Sequence, residues 1–103
     1  MAYKVETSDS AHSDLDNILL YMIDELASPL VATNFSDALD QKYELLEEHP
    51  FMFEVSRNER LAKLGYRRLV IGNYVALYLV NDENKTVTIA RIFHGKQNYE
   101  KYI

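Results

Sequence analysis

The sequence contains no cysteine. That absence removes disulfides, thiolate metal sites and cysteine nucleophiles together, and it fits a reducing cytoplasm. Only three glycines and two prolines occur, too few for a glycine-rich phosphate loop or a low-complexity linker. There is no G-x-S-x-G elbow, and His12, His49 and His94 are scattered with no HExxH-type spacing. No metal or other cofactor is therefore expected. The first residues, Met1-Ala2-Tyr3-Lys4-Val5-Glu6, lack the apolar region of a signal peptide. No apolar run approaches the roughly 20 residues that span a bilayer. These absences predict a soluble cytoplasmic protein with no membrane contact.

What is present suffices for a core. The chain has 103 residues, 48% of them hydrophobic, with eight Tyr and four Phe. One domain covering residues 1–103 is expected, because two cores would not fit in this length. The net charge of −5 hides a division. Residues 1–56 hold twelve acidic and two basic residues, whereas residues 57–103 hold nine basic and four acidic ones. A basic second half suits an acidic partner or nucleic acid, although solvated helices that collect Asp and Glu would give the same split.

The hydrophobic periods place the elements. Tyr3 to Thr7 alternates as a strand, and Ser8-Asp9-Ser10 offers N-caps. Ala11, Leu15, Ile18, Leu19, Met22 and Leu26 then trace one helical face. Ser28-Pro29 starts a second helix with Val31, Phe35, Ala38, Leu39 and Leu46 inward, ending near His49-Pro50. The short link predicts a helical hairpin whose Asp and Glu residues form its wet side. Phe51-Met52-Phe53 reads as a segment anchored in the core, and Arg57 to Gly65 as polar with a short helical turn. Tyr66–Ile71, Gly72-Asn73 and Tyr74–Val80 read as strand, two-residue turn and a central strand covered on both faces. Thr86–Phe93 is the last strand, with Val87, Ile89, Arg91 and Phe93 pointing one way. Gly95 ends it, and a terminal helix is expected from Lys96 to Ile103. The fold class is α+β: a helical hairpin on a mostly antiparallel four-stranded sheet, order β-α-α-β-β-β.

The chemistry-bearing residues gather on the sheet. Arg67 and Arg68 are adjacent in a strand, so they point to opposite faces. Arg91 in an apolar row needs a partner for its guanidinium, either an internal carboxylate such as Glu54 or Glu47, or an external anion. His94 lies beside Gly95-Lys96 at a strand end. Cations and an imidazole can cleave RNA by general acid–base chemistry without metal, and the same charges can dock an acidic partner.

Leu64-Gly65-Tyr66-Arg67-Arg68-Leu69-Val70, Gly72-Asn73-Tyr74, Tyr78-Leu79-Val80 and Arg91-Ile92-Phe93-His94-Gly95-Lys96 resemble, in order and spacing, the C-terminal half of RelE/ParE toxins. The element order is similar too, so the resemblance covers nearly the whole chain. It implies the toxin of a bacterial type II toxin–antitoxin (plasmid stabilisation) module, held in check by a cognate antitoxin protein. RelE-like members cut mRNA on the ribosome with basic sheet residues and a C-terminal His or Tyr. ParE-like members poison DNA gyrase and lack that nuclease set.

The carry-over is partial. Arg68 and His94 match nuclease positions, and Arg91 and Tyr99 would complete the catalytic group. Val75 stands where such nucleases carry an arginine, and Gln97 where they carry a further basic residue. The long hairpin resembles the ParE-like branch. The expectation is a gyrase-directed toxin that contacts partners through Arg67, Arg68, Arg91, His94 and Lys96, as a monomer or homodimer. The alternatives are a metal-independent, ribosome-dependent endoribonuclease, or an inactive interaction module. The last would show Arg67, Arg68 and Arg91 all bound by internal carboxylates.

Overall fold

Two serines start the helical layer. Ser8 caps α1 (Asp9–Asp24), its Oγ accepting from the Ala11 amide at 3.0 Å. Ser28 caps α2 (Pro29–Glu48) in the same way, accepting from the Val31 amide at 3.2 Å, with Pro29 opening the helix. Such caps satisfy amides that the first turn leaves free, at about 1 kcal/mol each. The computed structural model describes residues 2–96. The terminal helix expected after Lys96, and Tyr99 within it, lie outside the described residues.

Ala11 and Met22 of α1, and Ala32, Phe35, Leu39 and Leu46 of α2, are buried as the helical stripes predict. Val31 departs from its expected place. It is exposed, and Ala32 takes the inward position one residue on. Leu26 lies past the end of α1, in a turn where Ala27 holds a φ of 49°.

The remaining elements are β1 (Lys4–Thr7), α3 (Glu59–Lys63), β2 (Arg67–Ile71), β3 (Tyr74–Asn81) and β4 (Thr86–His94). The sheet runs β1-β4-β3-β2, with β1 parallel to β4 and the other pairs antiparallel. This is the expected order and an α+β fold, with α3 as the short helical turn expected between Arg57 and Gly65. Gly72, with φ 56°, makes the tight turn between β2 and β3. Leu69, Ile71, Ala76, Tyr78, Val87, Ile89 and Ile92 face the two long helices. Val75, Leu77 and Phe93 face the other way, covered by Leu61 of α3 and by Tyr66. β3 is thus covered on both faces, as its unbroken apolar run requires.

One row does not run as the alternation predicts. Leu77 pairs with Arg91 and Tyr78 with Ile89, so Ala90 is an extra residue in β4. Such a bulge reverses the parity of everything beyond it. Val87 and Ile89 therefore face the helices, while Phe93 joins the opposite cluster. Ser8 holds the bulge in place. Its amide donates to the Ile89 carbonyl at 3.0 Å and its hydroxyl to the Ala90 carbonyl at 2.8 Å.

The segment after α2 is only partly core. Phe53 stands edge-on to Tyr78 at 6.5 Å, but Phe51 and Met52 are exposed. This irregular stretch needs donors for its carbonyls. The Tyr78 hydroxyl donates to Pro50 O at 3.0 Å, and Arg67 serves the carbonyls of Phe51 and Phe53.

Ala27 is exposed, and its left-handed backbone penalises any side chain with a Cβ. Ala27→Gly is expected to stabilise the protein by about 0.5–1 kcal/mol, read from urea unfolding.

Candidate partner-binding groove

β1 reaches only as far as the Thr7–Ile89 pair, so among the described residues no strand borders the outer edge of β4, the side away from β3, beyond Ala90. Asp14, on the second turn of α1, takes up this free edge. Its Oδ2 accepts from the Ile92 amide at 2.9 Å and from Arg91 Nε at 2.8 Å, while Oδ1 accepts from Arg91 Nη2 at 3.0 Å. The two side chains are only 24% and 16% exposed. A two-pronged, charge-assisted pair at that depth is strong and geometrically specific. The Arg91 guanidinium also lies 4.8 Å from the Phe93 ring centre.

Asp14, then, is the internal carboxylate that Arg91 requires, not Glu54 or Glu47. The bulge turns Arg91 toward the open edge along which α1 passes, whereas Glu54 borders β2 at the opposite edge. Asp14 also departs from the rule that the hairpin acids are solvated. It precedes Ile18 by four residues and so flanks the buried stripe, which was the available sequence signal.

Over this edge opens a groove of about 610 Å³. Ile18, Tyr21 and Met22 line it from α1, with Leu26 and Val31 at the hairpin turn. Asn73, Tyr74, Arg91, Ile92 and His94 line it from the sheet. The His94 ring stands edge-on to Tyr74 at 5.3 Å, and its Nδ1 accepts from the Lys96 amide at 3.2 Å. In a neutral ring that leaves the proton on Nε2. Burial, and then the neighbouring Tyr21, raise the Tyr74 hydroxyl above its usual value. It therefore remains a protonated donor at neutral pH.

Arg68 sits on the same cross-strand row as Arg91, since both pair with Leu77. Two strand spacings put their Cα atoms about 10 Å apart. Their side chains are held at opposite sheet edges. Arg68 Nη1 donates to Glu54 Oε1 at 2.7 Å, and the same oxygen accepts from Arg57 Nε at 3.1 Å. The Arg68 side chain is 12% exposed. Arg67 Nη1 donates to Phe53 O at 2.7 Å and Phe51 O at 3.3 Å, and its guanidinium packs on the Phe51 ring. Of the residues named from sequence, the fold therefore brings Arg91 and His94 into one groove. Lys96 is exposed just beyond His94, while Arg67 and Arg68 are elsewhere. Tyr21, Tyr74 and Asp14 complete the groove without having been singled out.

Residues 5–99 match the family described as ParE toxin of type II toxin-antitoxin system, parDE. The chain belongs to this ParE toxin family. No curated protein matches it at a significant level. Among solved structures, this ParE-family toxin is similar to a chain of the chromosomal ParDE system from P. aeruginosa. That match has 20% identity and a TM-score of 0.70 over 90% of this chain and 96% of the other. It is also similar to a chain of the RelBE2 toxin-antitoxin complex from Mycobacterium tuberculosis, at 23% identity and TM-score 0.65 over 91% and 99%. A third is from the archaeal RelE-RelB complex of Pyrococcus horikoshii OT3, at 16% identity and TM-score 0.60 over 94% and 99%. At these identities the structural likeness is one of fold. Among the described residues of this toxin, no helix is long and apolar enough to cross a membrane.

Asp14→Ala is expected to cost about 3 kcal/mol in urea unfolding, because it takes the carboxylate from a partly buried guanidinium and from the Ile92 amide. Adding Arg91→Met should recover part of that loss. A second expectation concerns pH. The bond from Arg68, with help from Arg57, holds the Glu54 carboxyl below its usual value of 4.5. A lowered carboxyl value stabilises the fold at neutral pH, and the contribution fades as pH falls through that lowered value. Arg68→Gln should therefore lose more stability relative to wild type at neutral pH than in acid, as measured by unfolding curves at both.

Proposed function

We propose that this toxin arrests growth by binding a protein, DNA gyrase, without being an enzyme, and that a cognate antitoxin neutralises it at the β4 groove. The observation that carries this reading is the fate of the arginines. RNA cleavage without metal needs cations and an acid or base converging on one phosphate, and losing one such contact typically costs about a hundredfold or more. Here Arg68 and Arg91 are each paired with a carboxylate at opposite edges, and Arg67 serves backbone carbonyls. Val75 and Gln97 occupy two positions where related nucleases carry cations. The ParE family match points the same way.

The antitoxin follows from the relatives, whose structures are described as ParDE, RelBE2 and RelE-RelB complexes. The apolar side chains of Ile18, Met22, Leu26 and Val31 along the helical wall of the groove suit the anchors of an amphipathic segment. Exposed Lys96 and the basic second half favour acidic residues around those anchors. A second reading, a ribosome-dependent endoribonuclease, is favoured by one observation: His94 shares the groove with Arg91. A third, an inactive interaction module, draws on the carboxylate pairs of Arg68 and Arg91, but Arg67 is held by backbone carbonyls instead.

Induced expression without the antitoxin, joined to a supercoiling assay with purified gyrase, discriminates among them. The gyrase reading expects a DNA-damage response, filamentous cells and blocked supercoiling, all unchanged by His94→Ala. Translation arrest with cut mRNA, abolished by His94→Ala, would replace it with the nuclease. Growth without any defect would leave the interaction module.

A further inference from the structure

The second half of α1 carries six consecutive apolar residues, Ile18-Leu19-Leu20-Tyr21-Met22-Ile23. At 3.6 residues per turn such a run encircles the helix, and a helix that is apolar all round belongs in a buried setting. The domain buries one side only. Met22 enters the core, Ile18 and Leu19 pack against it, and Tyr21 lines the groove. Leu20 and Ile23 are left outside, 55% and 42% exposed, and Leu30, at the same end of the hairpin, is 68% exposed. Exposed apolar runs of this kind mark interaction surfaces or aggregation hazards.

Charge identifies the occupant. From Lys4 to Lys42 the chain has eight Asp and Glu residues between them and no Lys or Arg. Asp16, Leu20, Ile23 and Asp24 follow at helical spacing and share one outward stripe. Asp16, Asp24 and Glu25 are all exposed. A second copy is a poor occupant, since a two-fold contact would set this acidic stripe against itself. What fits is an apolar segment flanked by Lys or Arg.

We propose that the outward stripe of α1, with Leu30 at the hairpin turn, is the face by which the toxin grips its target protein, through a basic amphipathic segment of that target. This rests on the reading that the toxin acts by binding a protein, but not on which protein. Leu20, Ile23 and Leu30 do not line the β4 groove, and the two surfaces meet at the hairpin turn, where Leu26 and Val31 belong to the groove.

Two variants test it. Leu20→Lys/Ile23→Lys removes the apolar anchors and reverses the local charge. Asp24→Lys/Glu25→Lys leaves the anchors and reverses only the rim. The second variant places cations at the end of a helix whose last turn has none, which the helix dipole favours, so its folding is safeguarded. Circular dichroism and a thermal midpoint confirm folding of each. Both are expected to need about tenfold more protein than wild type to arrest growth, and to block supercoiling by purified gyrase. Growth arrest at the wild-type dose by the folded rim variant overturns the proposal, whatever the gyrase assay gives. If the wild type arrests growth but leaves gyrase unaffected, the gyrase reading fails, and loss of arrest in both variants still upholds the surface.

Discussion

A single carboxylate, that of Asp14, closes the sheet of this protein. With only four residues, β1 covers half of β4, and an uncovered strand edge invites pairing with any extended chain. The opening of α1 supplies what a longer β1 would have given. Ser8 donates to the carbonyls of Ile89 and Ala90, and Asp14 accepts the Ile92 amide while holding Arg91. Because a helix and not a strand borders β4 there, the space between them is a groove. The groove and the ion pair are thus two results of one short strand.

The bulge at Ala90 explains how the arginines divide. Without it, Arg91 would continue the row of Val87 and Ile89 into the helix-facing core, where a guanidinium is costly to bury. With it, Arg91 reaches the sheet edge and Asp14, while Ile92 fills the inward position. Arg68, on the same row, goes the other way to Glu54. A sheet that could have focused two cations on one phosphate instead uses each to tie down a neighbouring segment. α1 is fastened at one edge and residues 54–56 at the other.

Most of this architecture was legible in the residues. The caps at Ser8 and Ser28, the two apolar stripes, the glycine turn at Gly72 and the doubly covered β3 all follow from local pattern. Such features depend on neighbours a few positions away. The bulge depends on how β4 meets β3 and on Ser8, some eighty residues distant, so alternation ran straight through it and gave Phe93 the wrong face. Asp14 was hidden for the same reason. A helical Asp beside the apolar stripe looks solvated until the edge it covers is known. The resemblance of residues 64–96 to a toxin family was readable, yet it could not say that Arg68 and Arg91 were already paired.

The charge division along the chain becomes a division in space, and Asp14–Arg91 shows how far the two halves cancel. That pair joins the acidic hairpin to the basic sheet, and it is shielded enough to matter. Arg68–Glu54 also joins the two halves and has a nearly buried guanidinium, whereas Lys4–Glu6, Arg57–Glu54, Lys63–Glu59 and Lys85–Asp82 are largely exposed. Exposed pairs contribute little to stability and are screened by salt. They do neutralise part of the sheet side, whereas no Lys or Arg lies in sequence between Glu6 and Asp40, where Asp14 is paired with Arg91 and Glu6 with Lys4. The hairpin therefore carries the most one-sided charge of the chain, and Leu20, Ile23 and Leu30 are exposed on it. On the proposed readings, long-range attraction would bring a basic partner to the hairpin, and fit would select the one that enters the groove at β4.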